Sequence, residues 1–437
     1  MVLPAYVLSC LTALEDRGYP CYAVGGCVRD AVLGRIPHDY DLCTAATPEQ
    51  MQAVFADRRL VLAGVKHGTV GVVTDGGVVE ITTFRTEGTY QDNRHPDWVE
   101  FVTDITKDLA RRDFTVNAMA FSPLRGFVDP FGGREDLQKG ILRAVGDAAT
   151  RFREDSLRIL RGVRFAVRYH LTPEPETEKA MVSLGYLMDN LARERVFDEL
   201  CKLLPVVSAE DLLRFAPTLT QALPALAPMV GFDQCSPYHA YDIYTHTAYV
   251  VESVPAEPAL RWAALLHDVG KMATFLPDEN GRGHFKGHAQ VGARMADDIL
   301  RGLKAPTALR EQVVFLIDKH MVLLEPQRTT LRRQLSRWGE EPLRQIIALQ
   351  DADFSSKGVK GDPPDFRAII ELLDSIAAEN ACLSVTDLAI NGHDLMALGY
   401  SGPEIGKALN KLLADVVDER LPNERDALLQ ALTEATL

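Results

Sequence analysis

Gly25-Gly26-Cys27-Val28-Arg29-Asp30, followed nine residues later by Asp39-Tyr40-Asp41, is the stretch whose reading decides the fold. The apolar run Cys21-Tyr22-Ala23-Val24 ahead of it reads as a strand. Two glycines then permit a tight turn and close backbone approach to a ligand. Val28 to Leu33 reads as a short helix whose N-terminal N–H groups face that ligand. His38 to Cys43 reads as the next strand. Residues i and i+2 of a strand share a face, so the spacing predicts that Asp39 and Asp41 project together. Paired carboxylates beside a glycine turn suit Mg²⁺ carrying phosphates. Asp-x-Asp alone is common and is often no more than a turn with two solvated aspartates. The complete string is far more specific.

The chain is too long, at 437 residues, for one core, and two to four domains are expected. No apolar run reaches the ~20 residues of a membrane span, and Met1 to Cys10 lacks the basic start of a signal peptide. Seven scattered cysteines without a Cys-x-x-Cys pair suggest neither a zinc knuckle nor a disulfide framework, and a reducing cytoplasm fits. The net charge of −14 argues on its face against a nucleic-acid partner. Its distribution argues otherwise: Arg143 to Arg168 holds seven arginines, and Arg301 to Arg337 eight basic residues. Local basic stretches in an acidic chain suit a protein that holds RNA at defined places.

Residues 1–20 read as a helix stopped by Gly18 and Pro20. Leu60 to Leu62, Thr69 to Thr74 and Val78 to Phe84 read as strands, with Asp75-Gly76-Gly77 as a hairpin turn. Helical patterns lie at Pro48 to Ala56 and Leu109 to Ala120. From about residue 147 strand signals vanish and helical periodicity dominates. The expected fold is α+β: a head with a small mixed sheet, then an all-α neck, body and tail.

Three further strings carry chemistry. Glu80, in the strand Val78 to Arg85, is either a third carboxylate or an acid paired with an arginine, at even odds. Arg111-Arg112-Asp113-Phe114-Thr115-Val116-Asn117-Ala118 opens the helix expected there. Its arginines match phosphate geometry and would clamp a triphosphate, or the segment is a solvated helix start with Asp113 at the dipole. Glu154 to Phe165 reads as one helix with Leu157, Leu160, Val163 and Val167 as its buried stripe. Asp155 and Arg158 then stand at i and i+3 as neighbours. Cytosine and adenine each carry an amino donor beside a ring-nitrogen acceptor, which an accepting Asp and a donating Arg complement. Uracil and guanine present a carbonyl where the Asp needs a donor. The plainer reading is an exposed pair worth a few tenths of a kcal/mol.

In order, Gly-Gly-x-x-Arg-Asp with Asp39-x-Asp41, Arg111 to Ala118, Asp129-Pro130-Phe131-Gly132-Gly133, Glu154-Asp155-x-x-Arg158 and Leu191 to Val196 resemble the motifs of the class II tRNA nucleotidyltransferases and bacterial poly(A) polymerases. The resemblance covers roughly the first half of the chain and implies a polymerase-β-like nucleotidyltransferase head. It implies Asp39 and Asp41 as Mg²⁺ ligands and Gly26, Arg29 and Arg111 on the triphosphate. Asp155, Arg158, Arg161 and Arg164 would read the base and position the nucleotide. The segment at 129–133 resembles a structural, hinge-like element.

A second constellation lies downstream. His246, His267-Asp268, His288, His320 and Asp353 recur through the helical body, with the His-Asp doublet after the apolar run Trp262 to Leu266. They resemble the ligand set of the HD metal-dependent phosphohydrolases, and imidazole with carboxylate suits Zn, Ni, Mn or Fe. Asp351 and Asp353 cannot face the same way on a helix, and Asp353 is chosen. His288 is preferred to His284, and His393-Asp394 is set aside as a decoy.

The expected organisation is a head over 1–145, a neck over 146–230, an HD domain over 231–358 and a helical tail over 359–437. The expected activity is Mg²⁺-dependent addition of C, C and A to the tRNA 3′ end from CTP and ATP, with a separate phosphohydrolase site. The alternatives are a poly(A) polymerase, a CC- or A-adding partial enzyme, or an HD phosphohydrolase with an RNA-binding head. No membrane partner is expected.

Overall fold

A computed structural model describes residues 1–87, 99–359, 364–379 and 381–434. The expected tail therefore includes residues 360–363, 380 and 435–437 that lie outside the described ones. The chain forms two compact units, 1–207 with 214–227, and 208–213 with 228–437.

The first unit is the α+β part. Its strands are β1 (Cys21–Val24), β2 (Asp41–Thr44), β3 (Leu60–Val61), β4 (Thr69–Thr74), β5 (Gly77–Thr83), β6 (Arg85–Glu87), β7 (Val99–Phe101), β8 (Ala120–Ser122) and β9 (Gly126–Val128). Seven of them form one sheet in the order β3-β4-β5-β2-β1-β8-β9, while β6 pairs with β7. Only β2 and β5 pair in parallel, so the sheet is mixed. The β4–β5 hairpin closes at Thr74↔Gly77, and the positive φ of Gly77 (124°) suits a residue without Cβ. Alternating apolar residues put Val70, Val72, Val79 and Ile81 inside. Tyr22, Val24, Cys43, Phe84 and Leu109 form a second core cluster with Ala118 and Ala120.

The α-helices of this unit are α1 (Ala5–Glu15), α2 (Gly26–Val32), α3 (Pro48–Val54), α4 (Ile105–Ala110), α5 (Gly133–Lys139), α6 (Ala148–Glu154), α7 (Leu157–Tyr169), α8 (Pro175–Ser183), α9 (Arg193–Leu203) and α10 (Ala216–Ala222). Thr47 and Gln50 cap α3 reciprocally, with Pro48 in its first turn. The stripe expected on α7 is buried at Leu157, Leu160, Val163 and Val167.

Three expectations are corrected here. The strand expected from His38 begins only at Asp41, because its partner β1 ends at Val24, opposite Asp41, where the glycine turn takes over. The helix expected over 109–120 does not form. Helix α4 ends at Ala110, Phe114 is extended and bridges Ala144, and only Thr115–Asn117 make a short 3₁₀ turn. Asp113 takes the Phe114 N–H (2.8 Å) and the Asn117 side-chain amide (3.1 Å), competing with the helical pattern. The single helix expected from Glu154 is two. Asp155 is extended (φ −141°, ψ 102°), and its carboxylate accepts the Leu157 N–H at 3.1 Å.

The second unit is helical apart from the two-residue strands Leu276–Pro277 and Gly283–His284. Another short pair, Ile141–Leu142 with Thr172–Pro173, also interrupts the all-helical expectation beyond residue 147. The terminal helices pack round Ile390, Leu395, Leu412 and Leu428. No described helix is long and apolar enough to cross a membrane. All seven cysteines are free.

Candidate functional site

The glycine turn is dictated by space. Gly25 has φ 67°, and a Cβ there would lie 2.9 Å from a guanidinium nitrogen of Arg112. Gly26 begins α2, against Arg29. Asp41 opens β2 directly opposite Glu80 on β5. Asp39 precedes the strand, 87% exposed at its side chain and 3.1 Å from His38 Nδ1. Loss of solvent raises the Asp41 pKa, Glu80 and Asp39 raise it further, and Arg112 opposes them. Asp41 is thus crowded by two further acids, and carboxylate oxygens are the donors that suit a divalent cation.

The arginines of the next string divide. Asp108, wholly buried, binds Arg111 at 2.9 Å and Arg112 at 3.4 Å. Burial disfavours the Asp108 charge, but the two guanidiniums outweigh it and hold its carboxyl below the usual range. Arg112, rather than the expected Arg111, lies against the glycine turn. Arg29 is 6% exposed. Its guanidinium donates to Asp30 (3.0 Å), Asn117 Oδ1 (2.5 Å) and the Tyr169 hydroxyl, and stacks 4.1 Å from the Tyr169 ring. It thereby ties the glycine turn to α7.

Asp155 and Arg158 do not pair with one another. The Asp155 carboxylate is gripped by both terminal nitrogens of Arg195, at 3.2 and 2.8 Å. Arg158 donates to Glu154 (2.6 Å) and to the carbonyls of Arg151 (3.1 Å) and Arg111 (3.0 Å). Arg161 forks onto Asp113 at 2.9 and 2.6 Å, and Arg164 meets buried Glu199 at 2.5 Å. Most arginines of the 143–168 stretch are thus ion-paired, so the stretch carries less free charge than its sequence suggests.

Burial opposes ionisation of Asp113, yet Arg161 and Asn117 bring its carboxyl down to about 2. A depressed acid stabilises the fold above its unfolded pKa and loses that contribution as pH falls through the folded value. The wild type is expected to lose on the order of 2 kcal/mol between about pH 4 and about pH 2. Asp113→Asn should lack this step. Urea denaturation of both proteins across that range measures it, and an identical slope would show that the pair is not coupled to folding.

In the second unit, five helices bring the six expected ligands together. His246 lies on Ile243–Ser253, His267 and Asp268 follow Pro258–Leu266, and His288 opens His288–Gly302. His320 follows Thr307–Lys319, and Asp353 lies on Glu340–Ser355. His246 Nε2 is 2.9 Å from Asp353 and 3.7 Å from Asp268. His267 Nε2 is 3.2 Å from Asp268, His288 Nε2 is 3.6 Å from Asp268, and His288 and His320 meet at 3.3 Å. Each Nδ1 is turned to a carbonyl: Ser356 (3.2 Å), Ala264 (2.8 Å), Phe285 (2.8 Å) and Ile317 (2.6 Å). That fixes Nδ1 as the donor and leaves the Nε2 lone pairs facing inward. His267 Nε2 and Asp268 Oδ2 are both buried and face one another at 3.2 Å, with Lys271 Nζ 2.7 Å from the same carboxylate oxygen. Both observations fit a metal. Burial pushes His320 down to about 4. Burial also disfavours charge on Asp268, but His267 and Lys271 hold it ionised well below the usual range. His284 instead pairs with Asp278 at 3.1 Å, Asp351 accepts from Ser355, and Asp394 pairs with Arg425.

Residues 21–143 match the family model of the poly A polymerase head domain, and residues 288–432 that of tRNA nucleotidyltransferase domain 2. The CCA-adding enzyme of Levilactobacillus brevis is 33% identical over 97% of this chain and 96% of its own. That of Geobacillus stearothermophilus is 33% identical over 98% and 96%. The chain belongs to the CCA-adding enzyme family. A crystal structure of the Bacillus stearothermophilus CCA-adding enzyme with CTP matches over 99% of this chain and 97% of that one, with TM-score 0.71 and 29% identity. A Thermotoga maritima CCA-adding enzyme complexed with tRNA has TM-score 0.58 at 20% identity, covering 99% of this chain and 96% of that one, a likeness of fold.

Within this CCA-adding enzyme fold, four residues organise the site although the sequence reading did not select them. Asp108, Arg112, Tyr169 and Glu199 are the partners of residues it did select. The Arg111-Arg112 doublet was the only local signal for any of them.

Proposed function

We propose that the chain adds C, C and A to the 3′ end of tRNA from CTP and ATP. The observation that carries this is Asp41 opposite Glu80, with Asp39 close by, next to the glycine turn. Asp39 and Asp41 would hold Mg²⁺, which would activate the RNA hydroxyl and neutralise the leaving pyrophosphate. Arg112 and Arg111 would hold the triphosphate, with Gly26 allowing its approach. Arg29 acts by positioning. Asp155, fixed by Arg195, and Arg158, fixed by Glu154, would present an acceptor and a donor to the base edge. Arg161 and Arg164 orient α7 through Asp113 and Glu199. The domain boundaries expected near 145, 230 and 358 belong to this reading.

The test is single-nucleotide incorporation on tRNA lacking its 3′ end, with CTP and ATP supplied separately and together. Addition of all three residues supports the reading; products stopping after CC, or requiring CC, assign partial addition. In the same assay Asp155→Ala should admit UTP, and Arg158→Ala should weaken CTP and ATP alike. Each lost hydrogen bond is worth about tenfold in selectivity. Unchanged preference with only a lower rate would sink the template reading.

A second activity is proposed for the six-residue centre: hydrolysis of a phosphate ester with Zn, Ni, Mn or Fe bound. Water adds to phosphorus, the ester P–O bond breaks, and the leaving oxygen takes a proton. The inward Nε2 atoms gathered round the buried Asp268 carboxylate support it.

A further inference from the structure

Helix residues four apart lie one above another on the same side. On α7 one such line is Arg161, Phe165 and Tyr169, and each of the three meets the segment that carries the glycine turn. Arg161 forks onto Asp113, which accepts the Asn117 amide, and Asn117 Oδ1 accepts from Arg29. Phe165, 5.9 Å from the Phe114 ring and 6.1 Å from the Tyr169 ring, has the Arg29 guanidinium 5.5 Å from its centroid. Tyr169 takes Arg29 directly: its hydroxyl accepts from a terminal nitrogen, and its ring centroid is 4.1 Å from the guanidinium. Arg35, just beyond α2, lies 5.4 Å from the same ring. Two guanidiniums of the α2 segment therefore rest against one side chain at the end of α7.

Arg29 in turn sets the place of the glycine turn. Its backbone N–H donates to the Gly25 carbonyl at 3.0 Å, and a Cβ on Gly26 would lie 3.6 Å from its Nη2. A buried guanidinium must have its donors filled. Arg29 gives them to Asp30, Asn117 and Tyr169. Asp30 belongs to α2 itself and Asn117 to the 3₁₀ turn of the head. Of these acceptors only the Tyr169 hydroxyl comes from α7. Tyr169 is half-buried, so shortening it opens no core cavity. Arg158, at the other end of α7, is about 16 Å away along the helix axis, out of reach of the same groups.

We propose that Tyr169 is a positioning residue for the triphosphate of the incoming nucleotide, holding Arg29, and through it the Gly25-Gly26 turn, at a fixed place on α7. This rests on the reading of the turn as the triphosphate site. Tyr169 then governs how well the outer phosphates are held, while the base and the inner phosphate are held by groups it does not touch.

The experiment measures calorimetric dissociation constants of CTP and of cytidine 5′-monophosphate for the full chain with Mg²⁺. The ratio of the two is the advantage conferred by the outer phosphates. It should fall about tenfold in Tyr169→Leu and about threefold in Tyr169→Phe, which keeps the ring, with monophosphate affinity unchanged in both. General damage to the fold weakens both nucleotides alike and leaves the ratio where it was. An unchanged ratio in Tyr169→Leu overturns the proposal. In an Arg29→Met background Tyr169→Leu should lower the ratio no further, because residues acting through one contact are not additive. A further tenfold fall there would show that Tyr169 acts without Arg29, and would overturn it too. A wild type that binds CTP no more tightly than the monophosphate sinks the triphosphate reading itself, and Tyr169 with it; an advantage that the variants keep sinks Tyr169 alone.

Discussion

Asp41→Ala is expected to abolish nucleotide addition, by about a thousandfold or more, without lowering the stability of the metal-free protein. The two halves of this expectation have one cause. Asp41 is held beside Glu80 and within the field of Asp39, and its charged form is disfavoured first by lost solvent and then by these acids. An acid whose folded pKa is raised destabilises the fold at pH values above its unfolded pKa, so removing the charge relieves strain at neutral pH. A cation would relieve it too, which is the reason for such an arrangement at a metal site. Asp39→Ala should act in the same direction. Incorporation of labelled CMP into tRNA, with thermal melting in EDTA, checks both halves. Near-normal addition by both variants would place the metal elsewhere, and a large fall in melting temperature would make Asp41 a structural residue.

What could be read from the sequence follows the range of the interactions. Thr69–Thr74 has the predicted bounds because alternation and a glycine turn are local signals. The failures lie where distant partners decide. Asp113 looked like part of a helix start, but its backbone and side chain are claimed by residues far along the chain: Val145 N–H bonds its carbonyl at 3.1 Å, and Arg161 its carboxylate. Asp155 looked like a helical neighbour of Arg158, yet Arg195, forty residues on, holds it. Glu199 and Asp108 carry no local mark of function, since a buried acid is specified by the guanidinium it meets. The body centre was legible for a different reason. His267 and His320 close helices, His288 opens one and His246 lies in the first turns of another, beside Ile243 and Tyr244. Gly270 shows the constraint behind the His267-Asp268-Val269-Gly270 string, because a Cβ there would lie 2.2 Å from the His288 carbonyl oxygen. No other residue lets the helix bearing His288 approach the doublet.

His288→Ala is expected to remove metal-dependent phosphate-ester hydrolysis while CCA addition remains close to wild type. The choice of residue matters. Asp268 lies beside the buried Lys271 ammonium and three imidazoles, so Asp268→Ala leaves an uncompensated buried charge and costs about 3–5 kcal/mol. Its loss of activity could then be loss of folding. His288 is at the edge of a cavity that opens beside this centre, and its Nδ1 satisfies only the Phe285 carbonyl. Its removal takes one inward lone pair from the set facing Asp268 and His320. Metal that binds only the folded form raises its stability by about 2.7 kcal/mol at a hundred times the dissociation constant. Mn²⁺ or Ni²⁺ should therefore raise the melting temperature of the wild type and raise that of His288→Ala much less. Bound metal counted by mass spectrometry should fall in parallel. Equal metal content and an equal thermal shift in the variant would take His288 out of the ligand set. A wild type that retains no metal and shows no shift would leave the six residues as a buried polar core with no ion to hold.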